Sequence, residues 1–142
     1  MGFHKEKVLI KDIEMQNFIN FLKKVNFEKQ LKKMGGKYKD KKVLIYGAGL
    51  LFETINNNYD LSNLNIIGIA DKNKTSDDIQ TLYGYPAVKP DDIKKINPDI
   101  ILVCVLNSIY LIEALKRDYD KIKIIPLVDK GRKEFFKEIL KL

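Results

Sequence analysis

Val43-Leu44-Ile45-Tyr46-Gly47-Ala48-Gly49 carries the strongest structural signal in the chain. A short run of β-forming apolar residues passes straight into a glycine-rich turn, the pattern of a parallel strand buried on both faces. Leu50 to Asn58 then fit one short helix, and a second apolar run, Ile66-Ile67-Gly68-Ile69-Ala70, ends at Asp71. Strand, turn, helix and strand occupy 29 residues, about the size of a βαβ unit.

Each residue of that turn has a physical task in a dinucleotide site. Gly47 permits the tight turn, and Gly49 lets backbone approach a pyrophosphate with no Cβ in the way. Ala48 and Leu50 approach the phosphates by backbone, and the helix starting near Leu50 offers unpaired N–H groups and a positive dipole end. Asp71, 22 positions after Gly49, can accept hydrogen bonds from a ribose 2′-hydroxyl and repels a 2′-phosphate, which favours NAD over NADP. The pattern departs from G-x-G-x-x-G at its third glycine, where Phe52 stands. A phenylalanine there pushes the helix off the strand or fills the groove. The same glycines also serve a turn that binds nothing.

Moving outward toward the C-terminus, residues 72–82 are polar and read as a surface loop, and residues 86–88 as a short edge strand in which Pro86 is tolerated. Pro90-Asp91-Asp92 opens a short helix through Ile96, with proline and acidic residues suited to a first turn. Ile100-Ile101-Leu102-Val103-Cys104-Val105 is the most apolar run and reads as a central strand. Asn107-Ser108 opens a helix to about Arg117, Ile122 to Pro126 form another strand, and Asp129 to Leu142 a terminal amphipathic helix. Alternation of this kind predicts an α/β fold: a Rossmann-like parallel sheet, order 3-2-1-4-5, with helices on both faces. Asn107 and Ser108 then fall at the topological switch point, where ligands of open α/β sheets bind. Asn107 suits a ribose or sugar hydroxyl, or equally a helix cap.

Toward the N-terminus the chain divides into a basic helical arm, residues 1–40, and the α/β domain, residues 41–142. Residues 1–42 carry twelve lysines against five acidic residues, which accounts for the whole net charge of +7. Ile10, Ile13, Phe18, Leu22 and Val25 give the arm an apolar stripe at helical spacing over residues 10–34. A break is expected near Asn26 and a stop at Gly35-Gly36. The stripe can pack on the main domain or on a second copy, making a homodimer through the N-terminal helices. The charge suits an acidic partner, an anionic surface or simply solvent. It suits nucleic acid poorly, since no aromatic platform is interleaved with it.

Composition excludes several classes. No apolar stretch approaches the roughly 18 residues of a membrane span, and no signal peptide is evident, so a cytoplasmic protein is the default. With one cysteine, Cys104, and one histidine, His4, neither an internal disulfide nor an ordinary zinc site is expected. A full dehydrogenase or epimerase is not expected, since 142 residues would leave no room for its substrate domain.

The succession Val43 to Gly49, Ile67-Gly68-Ile69-Ala70-Asp71, Gly84-Tyr85-Pro86-Ala87-Val88 and Asp99 to Val103 resembles the small Rossmann-like domains of bacterial sugar-nucleotide and surface-polysaccharide enzymes. Such domains precede capsule epimerases/dehydratases, open sugar acetyltransferases and close some sugar C-methyltransferases. The resemblance covers about residues 41–127. It implies a nucleotide or nucleotide sugar in the cleft, with NAD as the possible cofactor, and a polysaccharide-biosynthesis enzyme as partner. Catalytic signatures are missing. Tyr119 and Lys123 have the Tyr-x-x-x-Lys spacing of short-chain dehydrogenases but straddle a loop and a strand, and Tyr85 and Lys89 bracket Pro86. Cys104 reads as an inert core thiol. The expectation is a non-catalytic or accessory nucleotide-binding domain, not a complete enzyme by itself. The alternatives are a sugar-nucleotide oxidoreductase or epimerase completed by dimerisation, and a docking module for a glycosyltransferase or methyltransferase with no nucleotide bound.

Overall fold

The computed structural model describes residues 2–130. Two helices, α1 (Gly2–Lys24) and α2 (Phe27–Lys37), lead into β1 (Val43–Tyr46), α3 (Leu50–Asn58) and β2 (Ile66–Ala70). A hairpin follows, β3 (Thr81–Leu82) and β4 (Tyr85–Val88), then a 3-10 turn (Pro90–Asp92) and α4 (Ile93–Ile96). The chain continues through β5 (Ile100–Val103), α5 (Ile109–Asp118) and β6 (Lys123–Pro126). No helix among the described residues is long and apolar enough to cross a membrane.

The six strands form one mixed sheet in the order β3-β4-β2-β1-β5-β6. All neighbouring pairs are parallel except β3 with β4. Successive residues of β1 point to opposite faces, and each face has its own core. Val43 and Ile45, with Ile69, Ile100 and Leu102, pack against Leu22, Phe27 and Leu31 of α1 and α2 and against Leu51, Phe52 and Ile55 of α3. Leu44, with Ala70, Val88, Ile101, Val103 and Ile124, packs against Ile93 of α4 and Leu115 of α5. Burial on both faces is why β1 and β5 are apolar at nearly every position.

The N-terminal helices share the first of these cores. Asn26 takes a left-handed conformation, φ 53°, and breaks the helix where the sequence predicts it. Gln30 anchors α2 to the end of the sheet by a reciprocal pair. Its Nε2 donates to the Asp129 carbonyl, and its Oε1 accepts from the Asp129 N–H, both at 2.8 Å. Lys11 meets Glu53 of α3 at 3.1 Å. Farther out on α1, Leu9, Ile10 and Ile13 are exposed.

Three expectations need correction. The helical segment begins at Gly2, not near residue 10, and α2 continues through Gly35-Gly36 to Lys37. Gly35 is buried, and a Cβ there would lie 2.8 Å from the Asn63 Cβ, so this glycine serves a close approach instead of a helix stop. The sheet is not wholly parallel and the 85–88 strand is not its edge: β3, within the segment read as loop, pairs antiparallel outside it. Pro86 fits because the ladder donor there is the Ala87 N–H, bonded to the Gln80 carbonyl at 2.9 Å. The terminal helix expected from Asp129 to Leu142 lies, from residue 131 onward, outside the described residues.

Candidate functional site

The chain leaves β1 for β2 on one side and resumes on the other side of β1 at β5, so the strand order reverses between β1 and β5. That reversal is where open α/β sheets form a crevice at the carboxyl ends of their strands. Gly47 stands at its lip with φ +113°, and a Cβ there would come within 2.8 Å of the Cys104 carbonyl oxygen. Torsion and contact both demand glycine. Gly49, the N-cap of α3, has φ −85° and nothing within 4 Å of where a Cβ would stand. No side chain caps α3, so the N–H groups of its first turn, from Leu50 onward, face the crevice end without intrahelical partners.

The turn is braced from β2. The Gly47 N–H donates to the Ala70 carbonyl at 2.8 Å. Asp71 accepts from the Ala48 N–H through Oδ2 at 2.7 Å and from the Asn73 N–H through Oδ1 at 2.8 Å. The structure thus brings Gly47, Ala48, Gly49, Leu50 and Asp71 together, and it uses the Ala48 N–H inside the protein. Phe52 is fully buried, its ring 5.5 Å from Tyr83 and 6.4 Å from Tyr85. It fills the space between α3 and the β3–β4 hairpin.

Asn107 and Ser108 have other neighbours. Lys130 Nζ donates to Asn107 Oδ1 at 3.4 Å. Ser108 is buried, precedes α5 without a side-chain cap, and lines a cavity of about 320 Å³ between α5 and β6 with Ile112, Ile124 and Pro126.

The phenols and the thiol nearby are held in their protonated forms. Burial raises the Tyr46 hydroxyl above the usual phenol range, with Tyr119 and Asp71 adding to it. Burial does the same for Tyr83, assisted by Glu53 and Asp71. Burial pushes the Cys104 thiol far up, so it stays protonated and unreactive. Sequence reasoning passed over Tyr83, whose hydroxyl donates to the Ala48 carbonyl at 3.1 Å. Gly84 was the one local cue, and a weak one, since the favoured two-residue turns carry Asn, Asp or Gly ahead of the glycine.

A family model described as C2185-like, N-terminal, matches residues 39–125. The chain belongs to this family. The C2185-like N-terminal match runs from just before β1 into β6, so it contains the glycine turn, Asp71 and the β3–β4 hairpin. Helices α1 and α2 lie ahead of the matched span. No curated protein and no solved structure is significantly similar to the chain.

Proposed function

We propose that this chain is a non-catalytic or accessory nucleotide-binding domain with a Rossmann-like fold. Its ligand is NAD or a nucleotide sugar, and its setting is bacterial cell-surface polysaccharide synthesis in the cytoplasm. One observation carries the binding reading: a glycine turn at the topological switch point delivers the uncapped N-terminus of α3, with open space at Gly49. Unpaired N–H groups and the helix dipole attract a phosphate there. Asp71 keeps lone pairs for a ribose hydroxyl beside those it gives to Ala48 and Asn73. The glycan setting rests on the succession of motifs from Val43 to Val103.

A thermal-shift panel with NAD, NADP, UDP- and GDP-sugars and coenzyme A tests the binding reading. A ligand at about 100 times its dissociation constant adds about 2.7 kcal/mol, a rise of roughly five to fifteen degrees for a domain of this size. In Gly49→Ala the new Cβ meets no protein atom, so the melting temperature holds while affinity for the active ligand falls about tenfold. Unchanged affinity in Asp71→Ala defeats the ribose role. A second reading, the docking module with no nucleotide, draws on the Ala48 N–H being spent on Asp71. A panel without any shift favours it.

A further inference from the structure

We infer that Tyr83 is a positioning residue that holds the glycine turn in the form that accepts a phosphate. The inference rests on the nucleotide reading of the turn and adds a residue from outside the βαβ unit. Tyr83 and Gly84 are the two central residues of the β3–β4 hairpin turn, with φ 51° and 84°. Positive φ at both positions defines a type I′ turn, which ordinarily takes Asn-Gly or Gly-Gly. An aromatic residue at the first position is strained. The strain persists because surrounding contacts hold the side chain. Its ring lies on Phe52, the residue standing where a third glycine would be, and its hydroxyl reaches the Ala48 carbonyl at 3.1 Å.

Ala48 is therefore gripped on both sides. Its N–H goes to Asp71 at 2.7 Å and its carbonyl receives Tyr83. A carbonyl oxygen loose in a phosphate-binding turn repels the anion. Tyr83 binds that oxygen toward the hairpin, and Asp71 fixes the opposite edge of the residue. What the turn then presents outward is Gly49 and the first-turn donors of α3. Phe52 and Tyr83 belong to one arrangement: the phenylalanine supplies the surface that draws the tyrosine ring inward. Thr75, whose Oγ1 donates to the Asp71 carbonyl at 2.6 Å, ties the intervening loop to the same corner.

The test is Tyr83→Phe, which keeps the ring and removes only the hydroxyl, studied in the full chain. Amide hydrogen exchange at Ala48, Gly49 and Leu50 is expected to quicken about fivefold in the ligand-free variant, the size of one lost hydrogen bond. Inorganic pyrophosphate, followed by its shifts of the Gly49 and Leu50 amide resonances, is expected to bind about fivefold more weakly, with the melting temperature lowered by only a few degrees. Tyr83→Asn, a residue at ease in the turn, keeps the hairpin and is expected to show the same quickened exchange. Unchanged exchange at the turn in both variants overturns the positioning role, whatever the wild-type chain binds. Quickened exchange with a wild-type chain that binds neither pyrophosphate nor any nucleotide leaves the hydroxyl's hold on the turn intact. It overturns the nucleotide reading instead.

Discussion

Gly47, just ahead of α3, and Gly35, inside α2, are both buried glycines, and the fold uses them for opposite ends. Gly47 needs its backbone torsion, φ +113°, and also meets the Cys104 backbone. Gly35 has ordinary helical torsions inside α2 and needs only the missing side chain, because the Asn63 Cβ passes close by. At Gly47 the obstacle is main chain at the centre of the sheet, which cannot move without breaking strand pairing. At Gly35 the obstacle is the Cβ of Asn63 in an exposed loop outside the sheet, so a methyl there requires that loop to shift but leaves strand pairing intact. Glycine thus marks either a torsion or a contact, and only the neighbours tell which.

Alanine substitutions test the contrast, the costliest at Gly47. Gly47→Ala carries both penalties and is expected to cost about 3 kcal/mol or more, read as a shift in the denaturation midpoint with unchanged slope. A cost below 1 kcal/mol there would erase the distinction. Gly35→Ala gains helix propensity of about 1 kcal/mol and loses somewhat more to the Asn63 contact, leaving a net cost of about 1 kcal/mol in the same titration. Gly36→Ala, exposed on the next position with nothing within 4 Å, is expected to stabilise by about 0.5–1 kcal/mol. If it destabilises instead, α2 does not run through the pair.

Alkaline pH probes the two faces of the sheet more gently. Burial raises Tyr83 and Tyr85 beside the turn, and Tyr46 and Tyr119 across the sheet. The folded chain therefore keeps phenol protons that the unfolded chain releases. Stability is fully present below about pH 10 and declines above it. Chemical denaturation at pH 9 and pH 11 checks the direction, and Tyr83→Phe is expected to flatten part of the decline.

The first βαβ unit was legible because its signals are local. Val43–Tyr46 and Ile100–Val103 are apolar runs that only a strand covered on both faces requires, and Leu50–Asn58 forms its helix within the predicted bounds. The hairpin was not legible as such. Residues 72–82 are polar, and β3 is two residues long, too short to leave a period. The turn residues Gly47, Ala48, Gly49, Leu50 and Asp71 could be named from spacing, whereas the Ala48–Asp71 bond and the Tyr83 hydroxyl join residues 23 and 35 positions apart.

By itself the sequence determined the alternation of strands and helices, the break at Asn26 and the place of the glycine turn, because torsion preference and burial on two faces act residue by residue. Tertiary structure alone decided that α2 runs through Gly35-Gly36 and that β3 closes the sheet edge. It decided as well that Phe52 turns toward the hairpin and that Ala48 is held from both sides. Those outcomes depend on which distant group arrives within contact, a quantity no local pattern contains.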